Sequence, residues 1–245
     1  MYREFEEYVF NNYDMTLKGI NLKYYHSKRV AILSKKLAQE LNYDFHDVKL
    51  ATQIGLLHDI ARFYEYTRFG KFTSTKIFDH GAIGVEILKN DNFVRKFNVN
   101  PDDEEILYAA IKNHNKAFIE KKYADNKFCK LIRDADKTDI FYIISNSEKY
   151  KSKFEGFNVT PKVYTNFMNH EVINTKDVRT YADNVLCNLA YIYDVNYDIT
   201  LKLIDEKKYL DKIYDLIENK EMFKRYFNEI SIYIEMRLKN VRTKI

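Results

Sequence analysis

Apolar residues fall at three- and four-residue steps along much of this chain, and only 6 Gly and 2 Pro interrupt it in 245 residues. Punctuation this sparse disfavours an all-β fold, which needs many tight turns. Three- and four-residue spacing is the signature of amphipathic helix. The chain is therefore expected to be all-α, with strand content near zero. A length of 245 residues allows one large domain, or one domain with an appended layer.

The stripes place the elements. Residues 2–14 and 22–41 read as helices, and in the second His26, Val30, Leu33, Leu37 and Leu41 share one face. Asp44 is an N-cap candidate, with Asp47 three residues on. The helix it opens runs to about Leu57, with Val48, Ala51, Gly55 and His58 aligned and His58-Asp59 at its end. Residues 65–78 lose periodicity and read as a loop, a candidate lid. Asp79 can cap a helix starting at His80, with Ile83, Gly84 and Ile87 on the His80 face. Asn100-Pro101-Asp102-Asp103-Glu104 is a helix start, with a cap, an early Pro and acids at the positive end of the dipole. Leu107, Ala110, Ile111 and His114 follow on one stripe. Residues 127–144 form a further helix, lined by Cys129, Ile132, Asp136 and Ile143.

Residues 151–162 are polar and irregular. Helices are then expected near 163–170, 177–193, 199–218 and 221–240, rich in Tyr, Ile and Leu. The expected organisation is a helical domain over 1–150 and a C-terminal helical layer over 151–245, packed together as one structural unit.

Six residues are hard to explain as packing alone: His26, the pair His58-Asp59, His80, His114 and Asp136. Each lies on or beside the apolar face of a predicted helix. Buried imidazoles and carboxylates are costly unless paired, and a divalent metal pairs with both. For any single buried His, a hydrogen-bonded core role is the better explanation; the set as a whole escapes it. His46 and His170 belong to no such pattern and read as surface residues. Cys129 and Cys187 stand far apart with no C-x-x-C, as reduced buried thiols of a cytoplasmic protein. The start, Met1-Tyr2-Arg3-Glu4, lacks an apolar signal core, and no apolar run approaches the roughly 20 residues of a membrane span. The formal charge of +4, from 40 basic and 36 acidic residues, argues for neither nucleic acid nor a membrane as partner.

A His on one helix, His-Asp ending the next, and an Asp on a later helix resembles the HD-domain superfamily of metal-dependent phosphohydrolases. The words G-L-L-H-D-I-A-R from Gly55, D-H-G-A-I-G-V-E-I-L from Asp79 and R-D-A-D-K from Arg133 carry the likeness over roughly residues 20–145. The resemblance implies an HD-type helical bundle with an additional C-terminal layer. It implies one or two divalent ions (Fe or Mn, with Mg, Ni, Co or Zn as alternatives). The first would bind His26, His58, Asp59 and Asp136, and the second His80 and His114 with Asp59 bridging. Two such ions, about 3.5–4 Å apart, can share a water and lower its pKa. The implied substrate is a phosphate ester or anhydride of a nucleotide, with a slight lean toward dinucleoside polyphosphates. The implied catalytic residues are Asp59 with Arg62 and Lys137, whose charges could hold phosphate or assist the leaving group; either cation could instead be a surface charge. Tyr64, Tyr66, Phe69 and Phe72 are candidates for base stacking. Two departures stand out. Ala61 replaces a common Gly, and Asn115 follows His114 where a second His is frequent. Asn is the poorer transition-metal ligand, so a second site that is weaker, more open or filled only with substrate is expected. The alternative is a nucleotide- or metal-binding regulatory protein with little turnover; a homo-oligomer is compatible with either.

Overall fold

The computed structural model describes residues 1–73 and 76–242, with side chains through 239. Among these residues every regular element is helical. No helix is long and apolar enough to cross a membrane. The chain divides into two compact units, Met1–Asp139 and Ile140–Ile245.

The first unit is built from α1 (Tyr2–Asn12), α2 (Lys18–Glu40), α3 (Phe45–Leu57), α4 (Ala61–Phe69), α5 (His80–Lys89), α6 (Glu104–Asn113) and the start of α7 (Lys127–Ser145). The caps read from the sequence are present. Asp44 accepts from Asp47 N at 2.8 Å, and Asp79 accepts from Ala82 N at 3.2 Å. These carboxylates satisfy amides that no helical carbonyl can reach. α1 docks through Phe5, fully buried and stacked 6.1 Å from Tyr24, with its edge to Phe63.

α2 and α3 cross at very short range because residue 55 is Gly. A Cβ there would stand 2.9 Å from both Ala31 Cα and Val30 O. This contact brings the His26 helix against the helix that ends in His58.

Two expectations need correction. The stretch 65–78 is not all loop, since α4 runs through Phe69 and stops at Gly70. Buried Glu65 anchors this helix, accepting from Arg62 at 2.7 Å and from Thr73 N and Oγ1 at 2.6 and 2.7 Å. Residues 74–75 of the candidate lid lie outside the described residues. The predicted helix over 199–218 is two helices, α10 (Asp198–Glu206) and α11 (Tyr209–Leu216), below. Lys208 between them takes a left-handed φ of +56°, which ends one helix and starts the next.

The second unit contains the end of α7, α8 (Pro161–Met168), α9 (Tyr181–Leu189), α10, α11 and α12 (Lys224–Arg242). Its core includes Val163, Phe167, Val185, Leu186, Ile204, Ile213, Phe223, Tyr226 and Ile230. Thr180 and Asp183 form a capping box on α9, and Asp183 also accepts from Thr160 N at 2.8 Å. These interactions account for an acid that is fully buried.

Candidate metal centre

All six residues singled out from the sequence meet in the first unit. His26 comes from α2, His58 and Asp59 from the turn after α3, His80 from the first turn of α5, His114 from the end of α6 and Asp136 from α7. His26, His58, Asp59, His80 and His114 are buried, the most exposed at 4%.

The two oxygens of Asp59 divide the imidazoles into two pairs. Oδ2 lies 3.3 Å from His26 Nε2 and 3.5 Å from His58 Nε2. Oδ1 lies 3.5 Å from the Nε2 atoms of both His80 and His114. Asp136 Oδ1 joins the first pair, at 3.2 Å from His26 and 3.7 Å from His58. The paired ring nitrogens face one another at 3.2 Å in the first set and 3.1 Å in the second.

His26, His58, Asp59 and Asp136 offer donors whose imidazole–imidazole and imidazole–carboxylate separations are 3.2–3.7 Å, the spacing of atoms about 2.0–2.3 Å from a shared ion, the usual N and O ligation range. The first set therefore fits a divalent cation. His58, Asp59 and His114 also offer atoms within 4.8 Å of one another, so His58 stands between the two sets. The second set has three donors, which leaves positions open for exchangeable ligands.

Partners of the outer ring nitrogens set which tautomer faces the cavity. His58 Nδ1 faces Gly55 O at 2.8 Å and His114 Nδ1 faces Ile111 O at 2.6 Å. A carbonyl only accepts, so both Nδ1 atoms carry hydrogen and both Nε2 lone pairs point inward. His26 Nδ1 meets Asp139 Oδ2 at 2.6 Å, and Arg29 clamps the same carboxylate at 2.6 and 3.0 Å. His80 differs. Asn115 Nδ2 sits 3.2 Å from its Nδ1 and 3.0 Å from Asp79 Oδ1. Accepting from that amide leaves the hydrogen of His80 on Nε2, directed at His114. Asn115 Oδ1 is buried without a hydrogen-bond partner. A half-turn of the amide would offer that oxygen to Nδ1 and release Nε2 as a ligand. Asn115 thus acts on His80, and the second set is the less ready of the two.

Charge states follow the same division. Burial would raise the Asp59 pKa, but the Lys23 charge and the neighbouring His58, His114 and His26 imidazoles hold it well below the carboxylate range. Asp136 is likewise low, burial being outweighed by the adjacent His26 and His58 imidazoles. Burial, then Arg62, pushes His80 well down, and burial lowers His114. For His26, burial and Lys23 oppose the proton, but Asp136, Asp139 and Asp59 outweigh them and raise it to about 9. A proton on His26 stands where a cation would satisfy the same carboxylates.

Several residues at the centre were not anticipated. Lys23 Nζ reaches Asp59 Oδ2 at 2.6 Å. It lies one turn before His26 on α2, as Asp139 lies one turn after Asp136 on α7, so same-face spacing from a ligand was the available signal. Arg133, within the R-D-A-D-K word, is buried and donates to Asn113 O at 2.9 Å and Ala117 O at 3.2 Å, fixing the chain just after His114. Arg62 is half-buried, its Nε 3.6 Å from Asp59 Oδ1. Lys137 is 6% exposed and Asp134 fully buried, so neither is a surface charge. Lys112 and Lys116 pair with Glu120 at 2.9 and 3.3 Å. His46 is exposed as expected, within a group formed with Asp44 and Asp47. His170 is half-buried against Glu229, at 2.8 Å.

The HD-domain family model matches residues 24–140, a stretch that includes all six residues. Over this stretch the chain matches the HD domain, a domain known from a superfamily of metal-dependent phosphohydrolases. Neither the curated proteins nor the solved structures contain a match to the chain.

Proposed function

We propose that the protein is a metal-dependent phosphohydrolase that cleaves a phosphate ester or anhydride of a nucleotide. The supporting observation is the division of the Asp59 oxygens between two imidazole pairs, which suits two neighbouring divalent ions. Iron or manganese fits the mixed imidazole and carboxylate donors, and Mg, Ni, Co and Zn remain chemically compatible. When bound, such ions supply Lewis acidity that lowers the pKa of a water and neutralises phosphoryl oxygens.

The chain's own groups do the rest. His26, His58, Asp59 and Asp136 hold the first ion, and His80 and His114 the second, with Asp59 shared. The Gly55 and Ile111 carbonyls keep two imidazoles in the ligating tautomer. Arg62 and Lys137 contribute positive charge for phosphoryl oxygens. Tyr64 and Phe69, exposed at 41% and 36% and each packed near Phe78, offer a face for a base. Tyr66 does not, because its ring fills the space at Gly19.

Metal-stripped protein should hydrolyse members of a nucleotide panel once Mn(II) or Fe(II) is added. The panel spans monophosphates, dinucleoside polyphosphates, cyclic dinucleotides and guanosine alarmones. His58→Ala should be slower by about a hundredfold or more, since one ligand supports several kcal/mol of charge stabilisation. Equal product release by both proteins would end the proposal. Stoichiometric metal binding with no turnover on the panel would favour the regulatory alternative.

The His26 proton gives a second check. Cation binding needs the Nε2 lone pair, so the proton must leave first. With a metal-free pKa of about 9, affinity should rise about tenfold per pH unit from pH 6 toward 9 and then level off. Calorimetry in buffers of different ionisation enthalpy should show about one proton released per first-site ion at pH 7. A flat profile over that range would contradict the assignment of His26.

A further inference from the structure

One side of the centre holds two cations that the ligand sets do not use. Lys23 Nζ is 2.6 Å from Asp59 Oδ2, the oxygen facing His26 and His58. Arg62 Nε is 3.6 Å from Asp59 Oδ1, the oxygen facing His80 and His114. Each ligand set therefore has one cationic side chain beside its shared oxygen. Both stand against the same ring: Lys23 Nζ is 5.5 Å and the Arg62 guanidinium carbon 5.3 Å from the Phe72 centroid. The two head groups thus share one wall.

Their bonding is incomplete in a particular way. Glu65 takes one arm of Arg62 at 2.7 Å and fixes its plane. The Arg62 Nε hydrogen is buried and has no hydrogen-bond partner, since Asp59 Oδ1 is too distant to accept it. A buried charged donor without an acceptor is costly, and an oxyanion oxygen at that point would remove the cost. The Lys23 side chain, 17% exposed, has Asp59 Oδ2 as its carboxylate. A divalent ion in the first set would claim that oxygen, and an ammonium beside it would be repelled. Lys23 would then need another anion on the Phe72 side, where Arg62 needs one too.

We infer that Lys23 and Arg62 form a binding pair for a tetrahedral phosphoryl oxyanion, and that Lys23 guards Asp59 until a cation displaces it onto that oxyanion. This rests on the metal-site reading above and adds an exchange of partners. In the metal-free protein Lys23 competes with the cation. In the loaded protein it holds phosphate. Cation and oxyanion therefore bind cooperatively, and the coupling runs through one side chain.

The variant Lys23→Gln separates this role from a structural one, because the two halves carry opposite signs. Mn(II) binding is followed by equilibrium dialysis without phosphate, and phosphate binding to the Mn(II)-loaded protein by 31P relaxation. Lys23→Gln should bind Mn(II) about fivefold more tightly than wild type, and inorganic phosphate about fivefold or more weakly, within the usual range of coupling between sites. Lys23→Arg should restore phosphate binding. A residue that only supports the fold would weaken both. If wild type takes up no Mn(II), the metal reading itself is wrong. If wild type binds Mn(II) but Lys23→Gln lacks either change, the metal reading stands and this inference is wrong.

Discussion

Asp59→Ala should empty both cation sites in one step, whereas His80→Ala should cost the protein one ion. Asp59 alone among the six lends a separate oxygen to each imidazole pair, at 3.3 and 3.5 Å on one side and 3.5 Å twice on the other. Without it the first set keeps two imidazoles and Asp136, and the second keeps two imidazoles and no anion. Four donors become three, and three become two. Turnover should fall by about a thousandfold or more, the equivalent of about 4 kcal/mol of lost charge stabilisation. Metal content by atomic emission, read beside circular dichroism, checks the claim. Two retained equivalents in a folded Asp59→Ala protein would exclude a shared carboxylate.

Removing Asp59 also strands the cations beside it. Lys23 loses its 2.6 Å partner, but at 17% side-chain exposure it can turn toward water. Arg62 keeps Glu65. The fold should therefore survive better than removal of a buried carboxylate would ordinarily suggest. This makes Asp59→Ala a test of chemistry more than of folding.

What could be read from the sequence was whatever depends on one helix at a time. His26, His58, His114 and Asp136 lie on apolar stripes, and a 3.6-residue period is visible without any neighbour. Asp44 and Asp79 cap their helices through bonds spanning three residues, so the local sequence holds both partners. What could not be read depends on partners distant in the chain. Lys23 and Asp59 are 36 residues apart, and Arg29 and Asp139 are 110 apart. Lys and Arg are exposed by default, so spacing from a ligand was not enough by itself to mark Lys23 and Arg29 as partners of buried acids. The second half of α4 escaped for a related reason, since its buried member Glu65 is polar and is held by Arg62 and by Thr73 beyond the helix. The break at Lys208 has no signal in residue type, because Lys rarely takes a positive φ.

One glycine couples the fold to the metal centre, and Gly55→Ala should show it. The added methyl would lie 2.6 Å from Ser34 Oγ and 2.9 Å from Ala31 Cα and Val30 O. The serine could rotate; the backbone of α2 cannot, so α2 and α3 must move apart. Overpacking of this kind costs about 1–3 kcal/mol, against about 1 kcal/mol gained from the better helix propensity of Ala. The net loss, up to about 2 kcal/mol, should lower Tm by up to about 8 °C in a chain of this length. The same separation should weaken the first cation site. His26 and His58 stand on these two segments with Nε2 atoms 3.2 Å apart, and His58 Nδ1 is anchored on Gly55 O itself. Gly84→Ala supplies the contrast. A methyl there would meet Ile60 and Ile111 side chains at 3.5 and 3.6 Å, ordinary contact distances, so propensity should win and Tm should rise slightly. If Gly55→Ala melts like Gly84→Ala and binds Mn(II) as wild type does, then the close crossing of α2 on α3 is not what holds the first pair of imidazoles in register.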